Sequence, residues 1–390
     1  MTRPPTGWQF LQLPGPTNIP GRVLEAMSRP TVDHRGPDFP LLTREIFEGL
    51  RWVFQTEHPV VVYPGSGSGG WEAALANTLS PGDRVLMFET GQFGLGWAEV
   101  ARRFGLDVEL VPGDWRRGVE PSLVEERLAA DTEHRVRAVA AVHNETSTGA
   151  VTRIPEIRAA MDRAGHPALL MVDAVSSLGC LEYRHDAWGV DVTVSGSQKG
   201  LMLPAGLSFT ALGPKALEAS KSAGLPRSYW DWARMLRLNE DGYFPYTPAT
   251  NLLFGLRESL SMLREEGLDQ VVRRHRRYGV AARRAVEAWG LELQCSEPEE
   301  RSDVLTAVRL PEGHDADRVR ALILERFDLT LGSGLGKVKG KVFRIGHLGD
   351  FNDLMLVATL AGVESGLALS GVPIQRGGVQ AAMETLEGSG

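Results

Sequence analysis

Short apolar runs recur along the first half of the chain, and each is followed by a stretch of helical periodicity. Val60–Tyr63, Arg84–Phe88, Val108–Val111, Val136–Val142, Ala168–Val172, Val192–Ser195 and Leu207–Ala211 read as strands, most of them without alternation of apolar and polar positions. A strand apolar at consecutive positions is covered on both faces, as in a sheet flanked by helices. Helical patterns over Trp71–Leu79, Phe93–Phe104, Ser122–Ala130 and Ile154–Ala164 supply the covers. The expectation is an α/β fold whose large domain holds a mainly parallel, seven-stranded sheet.

Residues 226–249 break this rhythm with Tyr229, Trp230, Trp232, Tyr243, Phe244 and Tyr246 among prolines. Beyond them the pattern predicts one long helix from Leu252 to about Trp289, a strand at Val304–Leu310 and a helix at Ala316–Phe327. A glycine-rich stretch (Gly332–Gly340), a strand at Val342–Ile345 and a helix from Asn352 follow. This predicts a smaller α+β C-terminal domain over 251–390, a large domain over 21–250, and an extended arm over 1–20, where Pro4, Pro5, Pro14, Pro16 and Pro20 oppose a helix. The run Leu354–Val372 is the longest apolar stretch, but Glu364 interrupts it and Leu356, Leu360, Val363 and Leu367 fall at helical spacing, so it reads as a buried helix and not a membrane span.

Composition narrows the function classes. The formal charge of −7 offers no electrostatic footprint for nucleic acid, and the one basic run, Arg273–Arg277, reads as a solvated helix face. Cys180 and Cys295 are the only cysteines; neither has neighbours at metal-ligand spacing, so no metal site and no disulfide framework is expected. The first residues lack the apolar run of a signal peptide, and a cytoplasmic setting is expected. Lysine is scarce: there are six, and none precedes Lys199.

Ligands of open α/β sheets sit beyond the carboxyl ends of the strands, so the residues there carry the candidate chemistry. After Val60–Tyr63 comes Pro64-Gly65-Ser66-Gly67-Ser68-Gly69-Gly70 and then a helix. This is either a tight strand–helix turn, a phosphate cradle of free N–H groups, or a dinucleotide loop with Glu89 as its ribose acid. Phe93 follows the next strand, as core or as a stacking partner. His143-Asn144-Glu145-Thr146-Ser147-Thr148-Gly149, beyond Val136–Val142, is a dense polar cluster. Asp173 ends an apolar run, as a cap or a buried functional acid. Lys199 follows a buried strand within Gly196-Ser197-Gln198-Lys199-Gly200, where desolvation makes an amine nucleophilic. A phosphate cradle, an acid and a lysine at one sheet edge match what pyridoxal 5'-phosphate needs: an anchor, a partner for its pyridine nitrogen and an amine for its aldehyde.

The ordered set resembles the class V, fold-type I aminotransferases, in particular the serine–glyoxylate and alanine–glyoxylate group. The likeness runs over nearly the whole chain, through Pro14-Gly15-Pro16-Thr17-Asn18, Ser66-Gly67-Ser68, Asn144–Gly149, Val172-Asp173, Gly196–Gly200, Tyr243–Pro248 and Lys341-Val342-Phe343-Arg344-Ile345-Gly346. The resemblance implies a PLP-transferase large domain with the cofactor carried as a Schiff base on Lys199, and Asp173 paired with the pyridinium. It implies that Ser66, Gly67, Ser68 and Gln198 hold the phosphate, that Phe93 stacks on the ring, and that Thr148 lies near the ring hydroxyl. Thr247 reaches the phosphate of the other subunit, which implies a homodimer with shared active sites. Arg344 clamps the substrate carboxylate. The implied reaction is transamination of glyoxylate to glycine, with L-serine as donor giving hydroxypyruvate, and aspartate or alanine as alternative donors. One departure is Phe244, where some relatives have a tyrosine on the phosphate; Tyr243 or Tyr246 could take over that contact. Asn251 and the pair His34-Arg35 stand out as polar residues able to read an acidic donor.

Three other readings fit less of the chain. A lyase of the cysteine desulfurase type needs a mobile cysteine, and Arg326–Arg344 contains none. A nicotinamide-dependent oxidoreductase leaves Asp173, Lys199 and Arg344 without roles. A non-catalytic binding protein has no use for Lys199.

Overall fold

The computed structural model describes residue 7 and residues 9–388; Pro4 and Pro5 of the expected arm and the last two residues lie outside them. Its strands are β1 (Phe10–Gln12), β2 (Val60–Gly65), β3 (Arg84–Phe88), β4 (Asp107–Val111), β5 (Val136–Val142), β6 (Asn144–Glu145), β7 (Ala150–Val151), β8 (Leu169–Asp173), β9 (Val192–Gly196), β10 (Gly206–Leu212), β11 (Glu292–Leu293), β12 (Leu305–Arg309), β13 (Leu329–Ser333) and β14 (Val342–Gly346). Seven of them form the large sheet in the order β2-β10-β9-β8-β5-β3-β4. Only β10 runs against its neighbours, so β2, β3, β5, β8 and β9 all deliver their carboxyl ends to one edge.

The unbroken apolar runs have the expected cause. Val60 and Val62 of β2 and Leu86 and Phe88 of β3 enter one buried cluster, whereas Val61, Tyr63, Val85 and Met87 enter another on the opposite face. Helix Phe39–Phe54 and helix Thr250–Glu266 close the first face; helices Gly67–Thr78 and Gln92–Arg103 close the second. Each face thus removes alternate side chains of the same strand from water, at roughly 25 cal/mol per Å² of apolar surface.

A second sheet, β1-β13-β14-β12-β11, backs onto helices Leu268–Ala288, Ala316–Phe327 and Asp353–Leu369. Here the structure departs from the sequence reading. The arm is not merely extended: its residues Phe10–Gln12 pair in parallel with β13, joining that segment to the C-terminal sheet. The single long helix is two helices, broken at Gly267, whose φ of +83° lies outside the helical region. A strand not expected from the sequence, Leu329–Ser333, takes in the first two residues of the glycine-rich stretch Gly332–Gly340, and a last helix, Gly378–Glu387, follows. The run Leu354–Val372 is the helix Asp353–Leu369, with Asn352 capping it by accepting from Met355 N–H at 3.0 Å. Among the described residues no helix is long and apolar enough to cross a membrane. The basic run is only partly a solvated face: Arg273 and Arg276 are exposed, but Arg274 is paired with Glu266 and Arg277 with Asp353.

Candidate active site

The sheet edge gathers most of the singled-out residues around one cavity. Ser66, Gly67, Ser68, Trp71, Phe93, Asn144, Thr146, Asp173, Ser176, Gln198 and Lys199 line it. A wider cleft of about 540 Å³ beside Trp52, Gly179 and Arg264 contains no lysine, and its Arg264 is already paired with Glu48 at 3.0 Å.

At one end of the cavity, β2 runs into the helix Gly67–Thr78. Ser66 is extended at the N-cap and its hydroxyl makes no capping bond. The first N–H groups of any helix lack a carbonyl four residues back, so Gly67 and Ser68 present donors there, beside two serine hydroxyls. Gly67 and Gly70 are fixed by packing: an added Cβ would lie 2.4 Å from Val175 Cγ2 and 2.5 Å from Val194 Cγ1 respectively. Gln198 Oε1 is buried beside this loop without a hydrogen-bond partner, as is Asn144 Oδ1 farther along the wall.

Asp173 ends β8, in register with Val142 of β5 and Val194 of β9. Burial pushes its carboxyl up to about 6; Val175 N–H on Oδ1 (2.7 Å) and Trp71 Nε1 on Oδ2 (2.8 Å) oppose that rise. Lys199, three residues past β9, is 9% exposed, and burial followed by the Arg344 charge brings its amine down to about 8. Lys199 Nζ donates to Pro14 O at 2.6 Å, and Thr17 binds the lysine loop through its N–H and hydroxyl, so residues 14–17 roof the amine.

Arg344 lies on β14, paired with Ala307 of β12 and Gly332 of β13. It is 7% exposed; Nε donates to Ser333 O and Nη1 to Thr146 O, each at 2.8 Å. Among the described residues no carboxylate lies within ion-pair distance of it, and burial lowers its guanidinium to about 10. The buried Glu145 carboxylate opposes that fall from a distance, but a buried cation without a directly paired anion is costly unless one arrives.

Two expected site residues stand elsewhere. Thr148 sits in the β6–β7 turn, its hydroxyl on Glu145 O at 3.4 Å; Thr146, two residues earlier, lines the cavity and donates to Ser176 Oγ at 2.7 Å. Thr247 is exposed and outside the cavity of its own chain. Phe244 is core, against Phe39, Phe47 and Tyr246, and the hydroxyls of Tyr243 and Tyr246 donate to Gly36 O and Val62 O. Sequence reasoning missed Trp71 and the Pro14 carbonyl as parts of the site, and from the flagged cluster His143–Gly149 it singled out Thr148 where Asn144 and Thr146 line the cavity. It also missed Glu145, whose buried carboxylate accepts from Phe93 N–H (3.2 Å) and Gly94 N–H (3.1 Å) and so fixes the start of the helix that carries Phe93.

The donor set fits pyridoxal 5'-phosphate. Unsatisfied N–H groups and hydroxyls suit a phosphate, the Phe93 ring makes a flat wall, a buried acid faces the cavity, and a desolvated amine closes it.

A fold of this kind around such a set defines a PLP-dependent transferase, and comparison with known proteins narrows it. Residues 10–341 match the model of the family "Aminotransferase class-V", and the chain belongs to that family. Its cofactor is therefore pyridoxal 5'-phosphate, and it is an aminotransferase. The chain is 49% identical over 392 residues to a serine–glyoxylate aminotransferase of Methylorubrum extorquens, covering 99% of this chain and 97% of that one. It is 46% identical to an L-aspartate–glyoxylate aminotransferase of Paracoccus denitrificans, over 95% of this chain and 94% of the relative. Among solved structures, ureidoglycine–glyoxylate aminotransferase from Bacillus subtilis superposes with a TM-score of 0.89 at 30% identity, covering 98% of this chain and 99% of that one.

Proposed function

We propose that this enzyme transfers the amino group of L-serine to glyoxylate, giving hydroxypyruvate and glycine. The observation that carries the reading is Arg344: a buried guanidinium with no carboxylate at ion-pair distance among the described residues, near the reactive amine, is what the carboxylate common to all four compounds requires. When bound, the cofactor supplies an electron sink that makes the α-proton of an amino acid removable.

The chain's residues then take distinct tasks. Ser66, Gly67, Ser68 and Gln198 hold the phosphate, and Phe93 packs against the ring. Asp173 keeps the pyridine nitrogen protonated. Lys199 would hold the cofactor's aldehyde, and its Nζ, once released, would take the α-proton and move it to the former aldehyde carbon; an amine brought down to about 8 is in part neutral at physiological pH, as a base must be. Arg344 fixes the carboxylate and so aims the α-proton at Lys199. The reading assigns the ring hydroxyl to Asn144 or Thr146 in place of Thr148, on the support of their positions in the cavity wall.

The enzyme works as a homodimer in this reading, with Thr247 reaching the partner's phosphate. Support comes from the exposure of Thr247 and of the apolar Leu24, Val32, Leu41 and Tyr229. A cytoplasmic setting agrees with two unpaired cysteines, Cys180 and Cys295. Serine is preferred as donor on the 49% relative; the 46% relative keeps aspartate as the second reading. Asn251 is not available to read an acidic donor, because its amide donates to Met27 O and Arg29 O, both at 2.8 Å. Steady-state rates with serine, aspartate and alanine, each against glyoxylate, test the assignment. A tenfold advantage for aspartate in kcat/KM, about 1.4 kcal/mol, moves the donor to aspartate, and no glycine from any donor overturns the reaction.

A further inference from the structure

Glu89 and Lys337 of the 334–341 loop have no part in the chemistry above, yet the fold joins them. Glu89 directly follows β3 and lies three residues before Gln92, the first residue of the helix that carries Phe93. Its side chain is 11% exposed, and one oxygen, Oε1, receives both Trp115 Nε1 (2.9 Å) and the Lys337 ammonium. Lys337 Nζ also stands 5.7 Å from the centre of the Trp115 ring. Trp115 is 1% exposed and left-handed, with φ +67°, so the ring is a fixed platform. Gly336 rests on that platform: an added Cβ would lie 2.5 Å from Gln92 Oε1 and 2.7 Å from the indole. Val338, buried, packs in the same cluster as Trp115.

The other end of the loop is coupled to Arg344. Ser333, where the loop begins, gives its carbonyl to Arg344 Nε. Gly332 is paired with Arg344 across the sheet, so close that an added Cβ would lie 3.0 Å from Arg344 Cβ and 2.9 Å from Pro14 Cδ. The loop is also folded tightly on itself, for a Cβ at Gly334 would lie 2.2 Å from Val338 O and 2.8 Å from Val342 O. Between Lys337 and Ser333 the loop is thus closely packed, with no slack at Gly334 or Gly336.

We infer that the Lys337–Glu89 pair on Trp115 is a latch that docks this loop on the large domain and sets the position of Arg344 over the cavity. Lys337 and Glu89 are thus positioning residues for carboxylate binding, acting alike on the amino donor and the oxo-acid acceptor. The inference rests on the reading that Arg344 holds the carboxylate. With Lys337 57% exposed, the pair is partly solvated and of modest strength, suited to release and re-form in each turnover.

The test compares four variants of the holoenzyme. Lys337→Ala is expected to raise KM for both donor and glyoxylate by roughly three- to tenfold, with kcat within about twofold and an unchanged cofactor absorbance spectrum. Lys337→Arg, which keeps the charge over the indole, is expected to restore most of the loss. Lys339→Ala, in the same loop but exposed and without an ion pair, is the control and stays at the wild-type KM. Unchanged KM values in Lys337→Ala, even with a lowered melting temperature, overturn the latch and leave only a structural contact; an equal rise in Lys339→Ala does the same. Arg344→Lys separates this failure from that of the parent reading. If it raises both KM values while Lys337→Ala does not, the latch alone falls; if it also changes neither, the carboxylate role of Arg344 falls and the latch with it.

Discussion

Replacing Trp71 by phenylalanine removes one hydrogen bond from Asp173 and leaves the carboxylate in place. Asp173 Oδ2 receives Trp71 Nε1 at 2.8 Å and Oδ1 receives Val175 N–H at 2.7 Å, and these two donors hold down a carboxyl that burial drives up to about 6. A hydrogen bond to a charged group is worth about 1.5–3 kcal/mol, and one pKa unit is about 1.36 kcal/mol, so losing it raises the carboxyl by about one to two units. The sign matters. The cofactor's protonated ring needs the carboxylate form, which is lost as pH falls through the folded-state value. A higher value thus shifts the acid limb of cofactor binding upward in pH. Titrating the apoenzyme with pyridoxal 5'-phosphate from pH 5 to 9 is expected to show that limb about one to two units higher in the variant. The smaller ring also loosens the stack on Trp97, whose centroid is 5.9 Å away, but that packing loss is independent of pH and appears as a lower melting temperature at every pH. An acid limb at the wild-type position, in a variant that is folded across the titrated range, refutes the argument that Trp71 tunes Asp173.

Other consequences are as definite. Borohydride is expected to trap a pyridoxyl group on Lys199, seen by peptide mass mapping, and Lys199→Ala to bind the cofactor with negligible turnover; a tag on another lysine contradicts the assignment. Asp173→Asn removes the ionisable acid, so turnover is expected to fall by orders of magnitude with a normal melting curve, and near wild-type rates count against the electron-sink role. Arg344→Lys keeps the charge but loses the planar fork, so kcat/KM for both substrates is expected to drop about 10- to 100-fold, as for one lost charge-assisted bond; a drop in stability with intact kinetics identifies a structural cation instead.

Much of this site could be read in the sequence because its chemistry follows the sheet. Asp173 ends a run that is apolar at every position, Leu169–Val172, which reads as a strand covered on both faces, and Lys199 lies three residues past the buried strand β9, so both stand at the ligand edge. Arg344 was legible for the same reason, as a charge among Val342, Phe343 and Ile345. What stayed hidden depends on geometry that residue types do not encode. Trp71 in a helix reads as core, and only the helix's rotation aims its indole N–H at Asp173. The choice between Thr146 and Thr148 turns on a two-residue difference within a tight hairpin. Pro14 contributes a carbonyl, which every residue has. The prolines of the arm masked the strand Phe10–Gln12, and Gly267 divides an otherwise continuous helical pattern by adopting a left-handed φ.

The strand pairing of Phe10 with Leu329 has a consequence for synthesis. Phe10–Gln12 leave the ribosome long before their partner strand Leu329–Leu331, and the roof over Lys199 forms in that same late event, because Pro14 lies two residues past the strand just placed. Closing so long a loop adds little entropy cost over a shorter one, since the cost grows only with the logarithm of length. It does, however, set an order of events: the large sheet can assemble while its amine is still open to solvent, and the lid arrives with the C-terminal strands. A change in the pairing of Phe10–Gln12 therefore reaches the roof over Lys199, although none of those three side chains lines the cavity.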